Sequence, residues 1–263
     1  MQKDSVNLLG IEVNRLDKSN LNSLLKKAIY SSGSPLIIAN HNAHSVYLHR
    51  RSDKMKRFFA RADYIHIDGM SLVFAGKIIG LPLEREHRVT YVDWVHSILQ
   101  QASMLGWRVF YLGAKPEVLH AGLKNIRNNY SNVTVEGHHG YFEARPDSIE
   151  TKSVVQQIQA FQPHILMVGM GMPRQEKWIL NNLHRLNPQV ILPCGACIDY
   201  LAGAVPTPPR WMGQVGLEWL YRFYQEPSRL WYRNFIEPLT LLPLLAKDTL
   251  CNRLDFKREQ EFN

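Results

Sequence analysis

The chain has 263 residues, of which 45% are hydrophobic and 21% charged, a composition typical of a globular protein and not of a disordered one. Its net charge of +8 favours an anionic partner: a nucleotide, a nucleic acid or a phospholipid surface. We find no nucleic-acid-binding motif, which disfavours nucleic acid, and no run of about 18 apolar residues, so we expect no membrane-spanning helix.

Hydrophobic periodicity predicts strands that alternate with helices over the first 200 residues or so. The predicted strands cover residues 8–13 (a strand or a hairpin), 35–39, 64–67, 107–112, 133–136, 165–168 and 189–192. The predicted helices cover residues 17–31, 50–61, 90–105, 116–130 and 148–161, with a further helix that has Pro173 in its first turn and a loop over residues 137–142. This alternation predicts an α/β fold, with a Rossmann-like, mostly parallel sheet and helices on both faces.

The composition changes near residue 205, where Pro206, Pro208 and Pro209 predict a hinge or linker. We therefore predict an α/β core over residues 1–204 and a helical C-terminal appendage over residues 205–263. The appendage is rich in aromatic and arginine side chains. This composition fits two arrangements: helices that pack on the core, and a peripheral contact in which rings and arginines meet lipid headgroups.

Three cysteines and an N-terminus without the apolar segment of a signal peptide predict a reducing, cytoplasmic setting. Cys194 and Cys197 have the Cys-x-x-Cys spacing of thioredoxin-like redox motifs, but they lie late in the chain. The alternatives are a redox pair and buried thiols that fill space, and we favour the buried thiols.

Ligands of parallel α/β sheets bind beyond the carboxyl ends of the strands. Five predicted strands end in polar or glycine residues, which are Asn40 with Asn42, Asp68, Gly113, Gly169 with Gly171, and Gly195 with Asp199. The stretch over residues 165–178 predicts a buried strand, a tight turn and a helix start that can receive a phosphate, with Arg174 and Gln175 within reach of the same ligand.

Asp68 is a candidate general base, because a carboxylate in a partly dry cleft can have its pKa raised. A period of two places His66 and Asp68 on one side of the strand, and Ile65 and Ile67 on the other side. The alternative is a turn-forming aspartate before Gly69.

The other polar strand ends have alternatives as well. Asn40 and Asn42 either face one ligand or cap the next helix. His41 and His44 have no further ligand to complete a metal site, and the chain has no Asp-x-Asp, so we predict no metal.

Several motifs together resemble the WecG/TagA/CpsF glycosyltransferases, glycosyltransferase family 26. They are Gly-Met-Gly-Met-Pro-Arg-Gln-Glu-Lys-Trp at 169–178, Asp-Gly-Met at 68–70, Gly-Tyr-Phe at 140–142, Leu-Glu-Trp-Leu-Tyr-Arg at 217–222 and Glu-Pro-Ser-Arg-Leu at 226–230. The resemblance covers nearly the whole chain in order. It implies an inverting, metal-independent and cofactor-free transfer from a UDP-sugar to an undecaprenyl-diphosphate-linked acceptor in cell-surface polysaccharide synthesis. The donors that it implies include UDP-N-acetylmannosamine and its uronic acid.

The resemblance also implies roles for individual residues. Asp68 would deprotonate the acceptor hydroxyl, Asn42 and Gln175 would line the sugar pocket, and Asp199 would hold the nucleotide with the glycine turns. The other implied donor-binding residues are Asn40, Arg88, Gly113, Tyr141, Gly169, Gly171 and Arg174. Arg222, Arg229 and Arg233 of the appendage would complete the site at the inner face of the cell membrane, where we expect a peripheral enzyme. A homo-oligomer is left open.

Two other classes of protein are alternatives to a glycosyltransferase. A nucleotide-dependent oxidoreductase would need Gly-x-Gly-x-x-Gly after an early strand, which is absent. A non-catalytic nucleotide- or membrane-binding α/β protein would tolerate replacement of Asp68.

Overall fold

The structure, a computed structural model, describes residues 4–31 and 33–250, except the side chains of residues 210, 214, 215 and 229. The chain opens with an antiparallel hairpin of β1 (Ser5–Leu8) and β2 (Ile11–Asn14). Gly10 lies in its turn with a φ of 88°, in the region that favours glycine. The hairpin agrees with the predicted strand or hairpin.

Six parallel strands form the central sheet, in the order β4-β3-β8-β7-β5-β6. They are β3 (Leu36–His41), β4 (Tyr64–Ile67), β5 (Arg108–Gly113), β6 (Thr134–His138), β7 (Ile165–Gly169) and β8 (Val190–Pro193). Because every strand runs the same way, all six carboxyl ends lie at one edge of the sheet. The predicted parallel sheet is confirmed.

Helices cover both faces of this sheet, as predicted. They are α1 (Lys18–Ile29), α2 (Ala43–Arg51), α3 (Asp53–Arg61), α4 (Met70–Ile78), α5 (Tyr91–Leu105), α6 (Pro116–Asn129), α7 (Ile149–Phe161), α8 (Arg174–Asn182) and α9 (Cys197–Leu201). Successive strand residues belong to two different apolar clusters: Phe110 and Leu166 lie in one, Val109 and Ile165 in the other. This alternation is the period-two pattern of strands that are buried on both sides.

The predicted helix over residues 50–61 is wrong in one respect, because it is two helices. Ser52 separates α2 from α3 with an extended backbone (φ −137°, ψ 115°), and its side chain accepts a hydrogen bond from the Met55 N–H. A serine hydroxyl competes for backbone donors in this way, which favours a new helix start.

Three other details also differ from the predictions. The helix α4 was not predicted, because Leu72, Val73 and Phe74 follow one another and leave no amphipathic period. Pro173 precedes α8 as its N-cap and is not inside the first turn. The strand β6 extends to His138, into the predicted loop.

The C-terminal appendage is helical, as predicted. It contains α10 (Arg210–Val215), α11 (Glu218–Gln225), α12 (Pro227–Trp231), a π-helical turn at Tyr232–Ile236, a 3-10 turn at Pro238–Leu241 and helical residues 242–250. It packs on α2, where His44 Nδ1 lies 2.6 Å from Glu237 Oε2 and the hydroxyls of Tyr47 and Tyr232 lie 3.0 Å apart. Within the described ranges, no helix combines the length and the apolar character needed to cross a bilayer.

Candidate functional site

Glycine backbones pack directly against one another at the carboxyl edge of the sheet. A Cβ on Gly113 would overlap the backbone of Gly169, and a Cβ on Gly169 would overlap the Tyr111 hydroxyl and the Gly195 carbonyl oxygen. A Cβ on Gly140 would lie 3.1 Å from Gly113 Cα. The ends of β5 and β7 and the turn after β6 therefore form a continuous layer of main chain with no room for side chains, which we call the glycine layer (Gly113, Gly140 and Gly169).

The Gln175 side chain joins two turns at this edge. Its Oε1 accepts hydrogen bonds from the Gly171 N–H (3.1 Å) and the Gly195 N–H (3.2 Å), and its Nε2 donates to Glu176 Oε1 (2.8 Å). Gln175 and Glu176 are each only 1% exposed. The polar atoms of Gln175 are thus already engaged within the protein, whereas we predicted a contact with the sugar.

The two turns that Gln175 joins border open space. A Cβ built on Gly171 (φ 78°) or on Gly195 (φ 56°) would meet no described atom within 4 Å beyond its chain neighbours. Both turns precede helices, α8 and α9, whose first N–H groups face the same edge. A phosphate group can therefore approach the main chain here.

Asp68 lies beside this edge, where β4 ends. Its Oδ2 accepts a hydrogen bond from Asn40 Nδ2 (3.1 Å), and its N–H donates to the His41 carbonyl oxygen (2.7 Å). Asp68 is partly buried, and Gly69 follows it as the N-cap of α4. One carboxylate oxygen is thus fixed by Asn40, on the neighbouring strand.

His66 is fully buried, and it packs against the rings of Tyr91 (5.8 Å between centroids) and Trp94 (5.6 Å). Burial lowers the pKa of His66 to about 4, because the imidazolium would lose its hydration, and the charge of Asp68 opposes this shift only in part. His66 is therefore neutral at pH 7. The predicted alternation along β4 holds, since Ile65 and Ile67 lie in a different apolar cluster from Tyr91 and Trp94. His66, however, lies in the core and not in the cleft.

The appendage brings charge to the same edge. The Arg222 guanidinium lies 5.4 Å from the centre of the Tyr200 ring. Burial raises the pKa of Tyr200, and four charged groups also act on its hydroxyl: Arg222, Glu218, Asp68 and Asp199. The predicted residues Asp68, Asp199 and Arg222 are therefore all near enough to Tyr200 for their charges to act on its hydroxyl.

Arg88 also links the core to the appendage. Its Nη2 lies 2.5 Å from Glu218 Oε2, and its side chain is 11% exposed. Of the other predicted arginines, Arg233 is partly buried, and the side chain of Arg229 lies outside the part that the structure describes.

Two further predicted residues, Asn42 and Arg174, have structural partners. Asn42 caps α2, since its Oδ1 accepts from the Ser45 N–H (3.0 Å), so the capping alternative describes this side chain. Arg174 Nη2 donates to the Phe142 carbonyl oxygen (2.6 Å) and so ties α8 to the loop after β6, in which Tyr141 is 61% exposed.

Sequence reasoning missed Tyr111, Glu176, Tyr200 and Glu218. Tyr111 is buried in β5, and its hydroxyl donates to the Gly195 carbonyl oxygen (3.0 Å). A helical period starting at Gln175 would have placed Glu176 near the buried face beside Trp178 and Ile179, and a buried acid is an uncommon feature. No local signal identifies Tyr200 or Glu218, because their partners are distant in sequence.

Cys194 and Cys197 are both buried, and no disulfide joins them. A hydrogen bond with Cys194, together with burial, raises the pKa of Cys197 and so disfavours its thiolate. This agrees with space-filling thiols.

In the described part of the chain, no group of three or more His, Cys, Asp or Glu side chains has the arrangement to hold a metal ion.

Burial raises the pKa of Glu176 from its ordinary 4.5 to about 7, because the carboxylate loses hydration and the Gln175 hydrogen bond offsets this loss only in part. The raised pKa means that the fold favours the protonated form, and this contribution to stability is lost as the pH rises from about 4.5 through about 7. The free energy of unfolding of Glu176→Gln, relative to that of wild type, should therefore rise by up to about 3 kcal/mol between pH 4.5 and pH 8. Urea unfolding at a series of pH values measures this difference, and a difference independent of pH would contradict the expectation.

Comparison with known proteins gives a consistent set of relatives. The sequence profile of the glycosyl transferase WecG/TagA/CpsF family matches residues 6–254. The N-acetylglucosaminyldiphosphoundecaprenol N-acetyl-beta-D-mannosaminyltransferase of Staphylococcus aureus strain MW2 is 29% identical over 199 residues, which cover 76% of this chain and 72% of the relative. The proteins of the same name from strains NCTC 8325 and MRSA252 are each 30% identical over 191 residues, covering 73% of this chain and 69% of the relative.

Proposed function

Because the chain belongs to the WecG/TagA/CpsF family of glycosyltransferases, we propose that it transfers N-acetylmannosamine, its uronic acid or a related hexose from a UDP-sugar to a sugar on undecaprenyl diphosphate. The names of the relatives support both the sugar and the acceptor. The observation that carries the proposal is that the Asp68–Asn40 pair, the open glycine turns and Arg222 all lie at one edge of the sheet. Family membership sets aside the non-catalytic alternative.

We assign the role of general base to Asp68. Its carboxylate removes the proton from the acceptor hydroxyl while the acceptor oxygen bonds to the anomeric carbon. The bond between that carbon and the β-phosphate oxygen breaks, and UDP leaves with the electron pair. Attack opposite the leaving group inverts the anomeric configuration. The hydrogen bond from Asn40 supports this role, because it fixes the carboxylate at the cleft.

The charge that develops on the leaving diphosphate needs compensation. We propose that it comes from the N–H groups at the start of α8 and from Arg222, without a metal ion. Asp199 and the glycine turns then hold the nucleotide, and Arg174, Arg229 and Arg233 supply further positive charge. Support comes from Arg222, since no described group accepts a hydrogen bond from its buried Nε.

We also propose a peripheral position at the cytoplasmic face of the cell membrane, within cell-surface polysaccharide synthesis. The appendage exposes large apolar side chains: Trp231 (55%), Tyr232 (50%), Leu239 (59%) and Leu242 (58%). Aromatic and leucine side chains of this kind insert at the headgroup level, close to a lipid-linked acceptor. The appendage and the core, divided near residue 205, would then meet the acceptor from two sides.

A panel of UDP-sugars with a short-chain prenyl-diphosphate-GlcNAc analogue tests the substrates. We expect a product whose mass increases by one N-acetylhexosamine or its uronic acid, with inverted anomeric configuration in the NMR spectrum. Addition of a chelator should leave the rate unchanged. Binding of UDP without transfer from any donor would contradict the proposed substrates, and a rate abolished by the chelator would contradict the metal-free mechanism.

A further inference from the structure

Glu176 is a buried acid that the proposed reaction does not use. It is 1% exposed and its Oε1 accepts a hydrogen bond from Gln175 Nε2. No described group donates to its Oε2. A buried carboxyl with one free oxygen adds little to the stability of a fold, so its presence calls for another explanation.

The orientation of the Gln175 amide depends on this contact. An amide has an acceptor oxygen and a donor nitrogen, and rotation by 180° exchanges them. In the observed orientation, Oε1 meets the N–H groups of Gly171 and Gly195. In the reverse orientation, the NH2 group would oppose two further N–H groups, and the oxygen would face Glu176. A carboxyl oxygen at this place therefore selects the orientation in which the amide joins the two turns.

These two turns come from neighbouring strands. The strands β7 and β8 are paired up to Val168 and Pro193, after which the chains diverge into α8 and α9. Beyond this point the Gln175 oxygen bridges the Gly171 and Gly195 turns, both of which face open space. Their separation sets the distance between the main-chain groups that a bound diphosphate would meet.

We propose that Glu176 is a positioning residue: it fixes the Gln175 amide, and through it the spacing of the Gly171 and Gly195 turns that receive the diphosphate of the donor. This inference rests on the proposed function, because it concerns the same site. Glu176 itself does not touch the substrate. Its effect concerns the binding of the nucleotide-sugar, in the ground state and the transition state alike, so it should appear in KM and not in kcat.

The test compares two replacements of Glu176. Met has nearly the same shape as Glu but accepts no hydrogen bond at this place, so Glu176→Met should raise the KM for the UDP-sugar and the Kd for UDP about tenfold, with kcat within about threefold. Gln keeps an acceptor oxygen, so Glu176→Gln should restore both constants to within about twofold of wild type. Glu176→Ala is a second variant without an acceptor, in case the Met variant does not fold.

A double-mutant cycle shows whether Glu176 acts through Gln175. Gln175→Met should raise KM as well, and Gln175→Met/Glu176→Met should be no worse than Gln175→Met alone. Asn182→Leu is the matched control: Asn182 is fully buried in the same helix and donates to the Trp178 carbonyl oxygen (2.8 Å), so its loss should lower stability without changing KM.

The outcomes separate the two proposals. If wild type binds UDP and transfers sugar but Glu176→Met keeps the wild-type KM, the positioning role is wrong. The same conclusion follows if the effects of Gln175→Met and Glu176→Met on KM add in the double variant. It also follows if Asn182→Leu raises KM as much as Glu176→Met does. If wild type neither binds UDP nor transfers sugar, the proposed function is wrong and the positioning role falls with it.

Discussion

Asp68→Asn is expected to lower kcat by about 10²–10⁴-fold, because an amide cannot accept the proton of the acceptor hydroxyl. The affinity for UDP should stay within about twofold, since the replacement keeps the shape of the side chain and an oxygen that can accept from Asn40 Nδ2. Steady-state kinetics and titration with UDP measure the two quantities on the same preparation.

Asp63→Asn is the matched control. Asp63 precedes the same strand, β4, at its other end, and its Oδ2 accepts from the Ile37 N–H (2.9 Å). This variant should lose some stability and keep its kcat. An Asp68→Asn enzyme with more than a tenth of the wild-type kcat would exclude Asp68 as the base.

Arg222→Gln is expected to lower kcat by about 10²-fold, because the guanidinium would stabilise the charge that develops on the leaving diphosphate. The KM for the donor should rise less, since that charge is larger in the transition state than in the ground state. The expectation rests on the position of Arg222 over Tyr200, near Asp68 and Asp199. Kinetics with varied UDP-sugar measure both constants.

Arg51→Gln is a control of the same chemistry. The Arg51 guanidinium lies 4.0 Å from the centre of the Tyr47 ring, on the exposed surface of α2. Its loss removes a similar cation–π contact far from the glycine turns in sequence, and kcat should not change. Equal losses in the two variants would mean that the effect of Arg222 is structural or concerns the overall charge.

The sheet could be predicted from the sequence because its strands are short apolar runs bounded by polar residues or glycine. Since the strands are parallel, the same pattern places Asp68 and the glycine turns at one edge. Family motifs covered the appendage, where composition alone indicated only helices. The α4 helix could not be predicted in this way, because its apolar residues follow one another without a period.

The contacts within the site were less accessible to sequence reasoning. Gln175 accepts a hydrogen bond from Gly195, 20 residues away, and Asn40 in β3 donates one to Asp68 at the end of the neighbouring strand β4. Such partners depend on strand order, which local patterns do not specify. Asn42 shows the opposite case: a local cap, available from the residues themselves, describes its side chain.

The glycine layer has a consequence for attempts to change the donor sugar. Where Gly113 and Gly169 touch, any larger residue would displace main chain, so this part of the proposed site offers no position at which a mutation can change its shape. Directed evolution of donor preference should therefore find its productive substitutions outside this layer, among residues such as Tyr200 and those of the appendage. The nucleotide half of the substrate would then stay fixed while the sugar half is varied.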